Sequence, residues 1–299
     1  MANRKSAKNK TVTSLVTVII LLIIVLLSEK ADLPFFSGET PENLNADFAV
    51  HFIDIGQGDC VLIQSNGKNM LIDAGENGNE QTVLDYLDKY NADSFEYIVA
   101  THPHSDHIGG LAEVIEASAV SNIIMPRLSK SNTPTTMTYE KLLTAAKSSG
   151  ARIIAAVPGN VYSVGGAEFE IFAPFEQDEN LNNMSVVVKL TYQGRSFLFT
   201  GDAEKQVEKQ LINSEYDLSA DVFKLGHHGS STSNTLGFLN AVNPGYAVIS
   251  CGENNDYGHP HREVIEAIYD LEIPVYRTDE DGSIVFTVTN NTIEVYTEK

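Results

Sequence analysis

The apolar run at 95–100, FEYIVA, leads straight into Thr101-His102-Pro103-His104-Ser105-Asp106-His107, and this junction restricts the chain more than any other part of it. Three imidazoles and a carboxylate fall within six positions, in a chain of 299 residues that holds only eight histidines. A regular helix or strand would splay such side chains apart. A loop at a strand end converges them, and imidazole with carboxylate suits zinc, manganese or iron. Gly109-Gly110 and a helical pattern follow, so the fold must bury a strand whose end opens onto a metal-sized cluster.

Three later junctions repeat the arrangement. Phe197-Leu198-Phe199 runs into Thr200-Gly201-Asp202; alone this is turn chemistry, but a carboxylate can also bridge two ions by giving one oxygen to each. Phe223-Lys224-Leu225 runs into Gly226-His227-His228-Gly229. Neighbouring histidines in an extended loop point apart, so one of His227 and His228 is expected to bind metal while the other stands behind it or contacts substrate. The fourth loop, 250–261, carries His259, a candidate proton donor or substrate anchor, and His261 near the start of a helix, where a capping role is expected. His51, inside the first strand, reads as a hydrogen-bonded core residue. Asp73, ending the strand in LIDAG, is expected to orient a ligand imidazole through its free N–H. Asp54 and Asp59, with Gly56 and Gly58, are expected to hold a turn open beneath the site.

The body alternates strand-like and helix-like segments. Strands are predicted at 48–55, 60–64, 70–72, 97–101, 122–125, 152–156, 168–172, 186–192, 196–200, 222–225, 246–250 and 284–288, and helices at 81–90, 111–117, 139–149, 204–213, 234–241 and 263–271. Strands group early and then alternate with helices. That order suits an α/β fold of two sheets packed face to face with helices outside, an αββα four-layer sandwich spanning 47–299.

Upstream, the uncharged run 12–27 (VTSLVTVIILLIIVLL) follows a basic stub, and no small-x-small cleavage pattern comes after it. Residues 1–30 are therefore expected to form one N-terminal transmembrane helix, or else a removed signal peptide that leaves a secreted protein. The basic residues precede the apolar run, which places the body outside the membrane. The stretch 31–46 reads as a linker.

The formal charge is -20, and beyond residue 30 the chain carries 15 basic against 39 acidic residues. Such a body repels a phosphate backbone over most of its surface, so an anionic substrate needs a locally positive site, which bound cations would supply. Two cysteines, Cys60 and Cys251, are too few for a disulfide framework and are expected to be buried thiols, with a single bridge between them left open.

The motif His-x-His-x-Asp-His at 102–107 resembles that of the metallo-β-lactamase superfamily. More narrowly, HFIDIGQGDCVLI, NMLIDAG, THPHSDHIGG, LFTGD, LGHHGSSTS and SCGENNDYGHPH are similar, in order, to segments of the hydrolase domain of ComEC-type DNA-uptake proteins. The resemblance implies that His102 and His104 hold one of two divalent ions, Zn or Mn, and that Asp106 and His107 hold the second. Asp202 would bridge them and His227 would complete the set. Many superfamily members carry a further histidine before the bridging aspartate. Here 178–184 (DENLNNM) offers only Asn and acids as ligands, and Asn183 is similar to the Asn of ComEC-type domains at this place. ComEC-type proteins join this domain to a polytopic channel, so a free-standing relative is expected, whose substrate need not be DNA. The implied chemistry is phosphodiester cleavage by a hydroxide that two metals activate, with His228 or His259 assisting the leaving oxygen. The substrate would be DNA or, alternatively, a choline- or teichoic-acid-bearing envelope polymer, and a non-catalytic metal-binding envelope module is the remaining alternative.

Overall fold

The computed structural model describes residues 46–299, so the expected anchor and most of the linker lie outside the described residues. Among the described residues no helix is long and apolar enough to cross a membrane. Two sheets stack with helices on their outer faces, as the alternation of elements implied. The first has eight strands in the order β15-β14-β1-β2-β3-β4-β5-β6, and the second seven in the order β13-β12-β11-β10-β9-β8-β7.

In the first sheet β1 (Phe48–Phe52), β2 (Val61–Ser65) and β3 (Lys68–Ile72) form an antiparallel meander. β4 (Ser94–Val99), β5 (Ala119–Met125) and β6 (Arg152–Ala155) then run parallel to β3. In the second sheet β7 (Val161–Val164), β8 (Ala167–Ala173), β9 (Val187–Tyr192) and β10 (Arg195–Phe199) are antiparallel. β11 (Val222–Lys224), β12 (Tyr246–Ile249) and β13 (Val275–Arg277) continue from β10 in parallel. β14 (Ile284–Thr289) and β15 (Thr292–Thr297) return the chain to the first sheet beside β1.

Side chains alternate across a strand, and both faces of the central strands are covered, which explains why strands such as β1 and β14 read as near-continuous apolar runs. Phe48, Val50, Phe52, Val61 and Ile63 meet Phe197, Phe199, Val188 and Val222 between the sheets. The opposite faces pack on helices: Leu62 and Leu71 on α1 (Glu80–Lys89), and Leu198 and Phe223 on α5 (Lys205–Ile212) and α6 (Leu236–Val242). Between α1 and α5 the chain forms a single turn, α2 (Ser105–Ile108), then α3 (Leu111–Ala117) and α4 (Met137–Ser148); after α6 comes α7 (Arg262–Asp270).

His51 points to the helical side, where its Nδ1 lies 3.1 Å from the Tyr86 hydroxyl, as a core residue should. Cys60 and Cys251 are both buried free thiols, one in each helix-facing core. Three short strands outside the predicted set, β7, β13 and β15, occupy sheet margins. The one-turn helices Ser105–Ile108 and Thr278–Asp281 also lie outside the predicted set, and the remaining differences in strands and α-helices are up to three residues at element ends, where helices and strands fray.

Candidate metal centre

Parallel strands in one sheet send their carboxyl ends the same way, and in open α/β sheets the crevice beyond those ends is where ligands bind. Here β3 and β4 of one sheet and β10, β11 and β12 of the other all end at one place, delivering Asp73, the 102–107 loop, Asp202, His227-His228 and the 250–261 loop to it. An open cavity of about 450 Å³ lies there, lined by His104, Asp106, Asp202, His227, His228 and His259 among others.

Asp202 sits at the centre, buried. Its Oδ1 is 3.1 Å from His107 Nε2 and 3.7 Å from His228 Nε2; its Oδ2 is 3.6 Å from His102 Nε2 and 3.5 Å from His227 Nε2. His102 Nε2 and His104 Nδ1 face each other at 3.0 Å. Asp106 Oδ2 lies 3.2 Å from His228 Nε2 and 3.9 Å from His107 Nε2. Possible ligand atoms thus form two groups that share Asp202: one with His102 and His104, the other with His107, His228 and Asp59.

The expectation of an extended loop at His227-His228 is corrected. Both residues adopt left-handed backbone angles, with φ of 53° each, so the rings do not diverge and both Nε2 atoms turn toward Asp202. Left-handed conformations at non-glycine residues cost on the order of 1 to 3 kcal/mol each and persist where a site requires them. Asp73 is likewise left-handed, at φ 58°. Its Oδ2 accepts from Thr101 Oγ1 at 2.6 Å and lies 2.8 Å from His107 Nδ1, while its Oδ1 accepts from the Thr101 amide. It therefore stands behind the His107 ring, whose other nitrogen faces Asp202. Glycine is required at Gly58, with φ of 123°, where a Cβ would lie 2.2 Å from the Asp106 carbonyl oxygen.

The remaining sequence candidates fall as follows. His259 lies at the cavity wall, its ring 5.4 Å from that of His227, and His261 accepts the Ser231 amide through Nδ1 at the start of α7. Asp54 braces its own turn and the chain end: its Oδ1 accepts from the Gly56 amide and its Oδ2 reaches Lys299. Asn183 accepts from the Glu204 amide and donates to Asp178, bracing the loop, while its neighbour Asn182 faces the cavity. Sequence reasoning missed Asp59 as a partner of the site, and with it Lys224, Asn182, Gln57 and Tyr257. For Lys224 a signal was present: a lysine at an alternate position of an apolar strand.

The electrostatics are those of a cation site. Burial opposes ionisation of Asp202, but His107, His228 and His102 outweigh it and hold the carboxyl well below its usual range. Burial likewise opposes charge on His107, yet Asp202, Asp106 and Asp73 push it well above its usual value. His228 is driven up to about 9 by Asp202 and Asp59 against the same burial. Buried carboxylates here demand compensating positive charge, which protons or bound cations can provide, so cation binding is coupled to proton release. His259 goes the other way, down to about 4, because of burial and the neighbouring His228, His227 and His261, so it is a neutral imidazole at pH 7. His107 Nε2 and Asp202 Oδ1 are both buried without a hydrogen-bond partner. Orphaned buried atoms converging on one space fit a divalent ion.

The profile of the Metallo-beta-lactamase superfamily matches residues 53–253, two thirds of the chain. The chain belongs to this superfamily. Curated relatives include ComE operon protein 3 of Bacillus subtilis, 30% identical over 85% of this chain and 35% of its own length. Competence protein ComA of Neisseria gonorrhoeae is 32% identical over 82% of this chain and 33% of its own length. The chain therefore spans about a third of these relatives. Among solved structures, Igni18, described as a metallo hydrolase from Ignicoccus hospitalis, superposes with a TM-score of 0.53 at 16% identity, covering 81% of this chain and all of its own. CmlA, a diiron beta-hydroxylase from Streptomyces venezuelae, gives 0.56 at 12% identity over 81% of this chain and 54% of its own. These likenesses establish the fold. Within the superfamily, the buried Asp/His cluster makes this a metal-binding hydrolase related to competence proteins.

Proposed function

We propose that this protein is a two-metal phosphodiesterase that cleaves nucleic acid outside the membrane, tethered by the apolar run 12–27. The carrying observation is the division of Asp202, whose two oxygens face two separate sets of imidazoles at the floor of an open cavity. His102 and His227 turn toward Oδ2, with His104 Nδ1 beside His102 Nε2, so His227 is positioned to supply the imidazole that 178–184 lacks; His107, His228 and Asp106 gather on the Oδ1 side. Two bound divalent ions, zinc or manganese, would supply a water acidified to near neutrality and positive charge for phosphoryl oxygens. The chain's own residues do the rest. Asp73 holds the proton on His107 Nδ1 so that Nε2 faces inward. His259, neutral, donates to or accepts from a substrate oxygen at the wall, and the unpartnered Gln57 Nε2 at the same cavity is a further donor. The competence relatives favour DNA as the polymer.

A second reading has an observation of its own. Tyr257 is 63% exposed at the cavity mouth, among Asp106, Glu76 and Asp256. An aromatic face among carboxylates suits a quaternary ammonium, as in a choline-bearing envelope phosphodiester.

Metal analysis and turnover of a generic bis-aryl phosphodiester test the enzyme reading; two ions per chain and chelator-sensitive hydrolysis are expected, and full activity in metal-free protein overturns it. Parallel assays on DNA and on choline phosphodiesters separate the two substrates. Asp202→Ala is expected to lose both ions, and retention of two per chain would refute the bridging assignment.

A further inference from the structure

Among the described residues Lys224 is the only lysine or arginine that is buried, with its side chain 1% exposed. It ends β11 two positions after Val222, so strand alternation aims it at the inner face between the sheets. There its Nζ lies 2.9 Å from Asp59 Oδ1, a residue delivered by the loop that joins β1 to β2 of the opposite sheet, and also donates to the Leu225 carbonyl. The same Asp59 oxygen lies 3.2 Å from His228 Nδ1, which donates to the Ser250 carbonyl at 3.0 Å, and the other nitrogen of that ring is the one directed at Asp106 and Asp202.

A carboxylate behind a ligand imidazole fixes which nitrogen carries the proton and how the ring is aimed. A buried carboxylate is itself costly unless paired, and an ammonium from the facing sheet meets that need. Asp59 stands close enough to His107, Asp202 and His228 to be considered as a ligand. Its near oxygen is already held by an ammonium, however, and two cations on one oxygen would repel each other. We infer that Lys224 and Asp59 are positioning residues for the second ion: Lys224 holds Asp59, and the Asp59 carboxylate flanks the hydrogen bond from His228 Nδ1 to the Ser250 carbonyl, so that the ring keeps Nε2 presented to the metal. This rests on the two-metal reading above.

The test measures metal stoichiometry and affinity by chelator competition in the full chain, for the Asp59→Asn/Lys224→Met pair, which removes both charges and keeps an acceptor oxygen. It is made with His228 intact and again in a His228→Ala background, with circular dichroism on every variant. With His228 present, one of the two ions is expected to lose about 10- to 100-fold in affinity while the other stays within about twofold. In the His228→Ala background the pair is expected to add less than about twofold, because its route to the metal is already gone. An equal loss in both backgrounds overturns the inference in favour of Asp59 as a direct ligand, and so does an unchanged affinity with His228 present. If the double variant does not fold, Asp59→Asn alone gives the same comparison. Wild-type protein that binds two ions but cleaves no phosphodiester defeats the proposed function and leaves this inference standing; wild-type protein that binds only one ion defeats both.

Discussion

Asp73 makes three contacts without facing the cavity: the Thr101 amide, the Thr101 hydroxyl and His107 Nδ1. Burial raises its carboxyl against those stabilising bonds. His107 and Thr101 offset only part of that rise, and His107 is where the carboxyl meets the site. Asp73→Asn keeps the shape but can offer only one acceptor oxygen. The expected outcome is a loss of about 10- to 100-fold in metal affinity or turnover with little change in the fold, read by chelator competition and circular dichroism. Unaltered affinity would mean that the buried His107 is aimed by packing alone. His227 and His228 illustrate the limit of reading at this scale. That both were candidates is plain from GHHG; that their rings turn the same way depends on two left-handed backbone conformations, which residue type alone does not specify.

Elements were more legible than side-chain roles. β1 (FAVHF) and β14 (IVFTVT) are mostly apolar and buried on both faces, and β9 (VVKLTY) was still legible because Lys189 and Thr191 alternate with a buried apolar face. β7 and β15 lie at sheet margins, half exposed, and their mixed sequences VYSV and TIEVYT resemble loop as much as strand. The metal-binding loop was legible because its ligands are local, within 102–107. The Lys224–Asp59 pair was not, because 165 positions and two different sheets separate its members. His51, on the helix-facing side of β1, supports a prediction of its own. It is fully buried, and burial, countered in part by Gln64 and reinforced by Lys89, lowers its pKa from the usual value to about 3. The unfolded chain takes up a proton at this residue below about pH 6.5, whereas the folded chain does not until about pH 3. The sign follows: stability present above pH 6.5 is lost as pH falls, by about 1.4 kcal/mol per unit from this group. His51→Gln, which can still bond Tyr86, is expected to flatten the curve by that slope in denaturant titrations from pH 6.5 to 4.5. Parallel curves for the two proteins would show that His51 is protonated in the folded state.

For the whole molecule, the balance of 15 basic to 39 acidic residues beyond residue 30 sets how a polyanion can approach. A protein that grips DNA with lysine and arginine releases counterions and loses affinity steeply as salt rises. This body should behave in the opposite way if nucleic acid is its substrate. Its attraction would be confined to the cation site, while repulsion acts from the surrounding surface over a Debye length of about 30 Å at 0.01 M salt and about 10 Å at 0.1 M. Adding salt across that range screens the repulsion first, since the contact at the site is short-ranged and partly buried. The expected result is that kcat/KM for a DNA oligonucleotide rises severalfold from 0.01 to 0.1 M salt, while that for a bis-aryl phosphodiester, with one charge and little extent, changes by less than about twofold. A choline-bearing substrate, whose ammonium is drawn to the same acidic surface, should weaken over that interval. The direction of the salt response thus separates the two substrate classes independently of absolute rates, and a steep fall for DNA would point to a local basic binding surface instead.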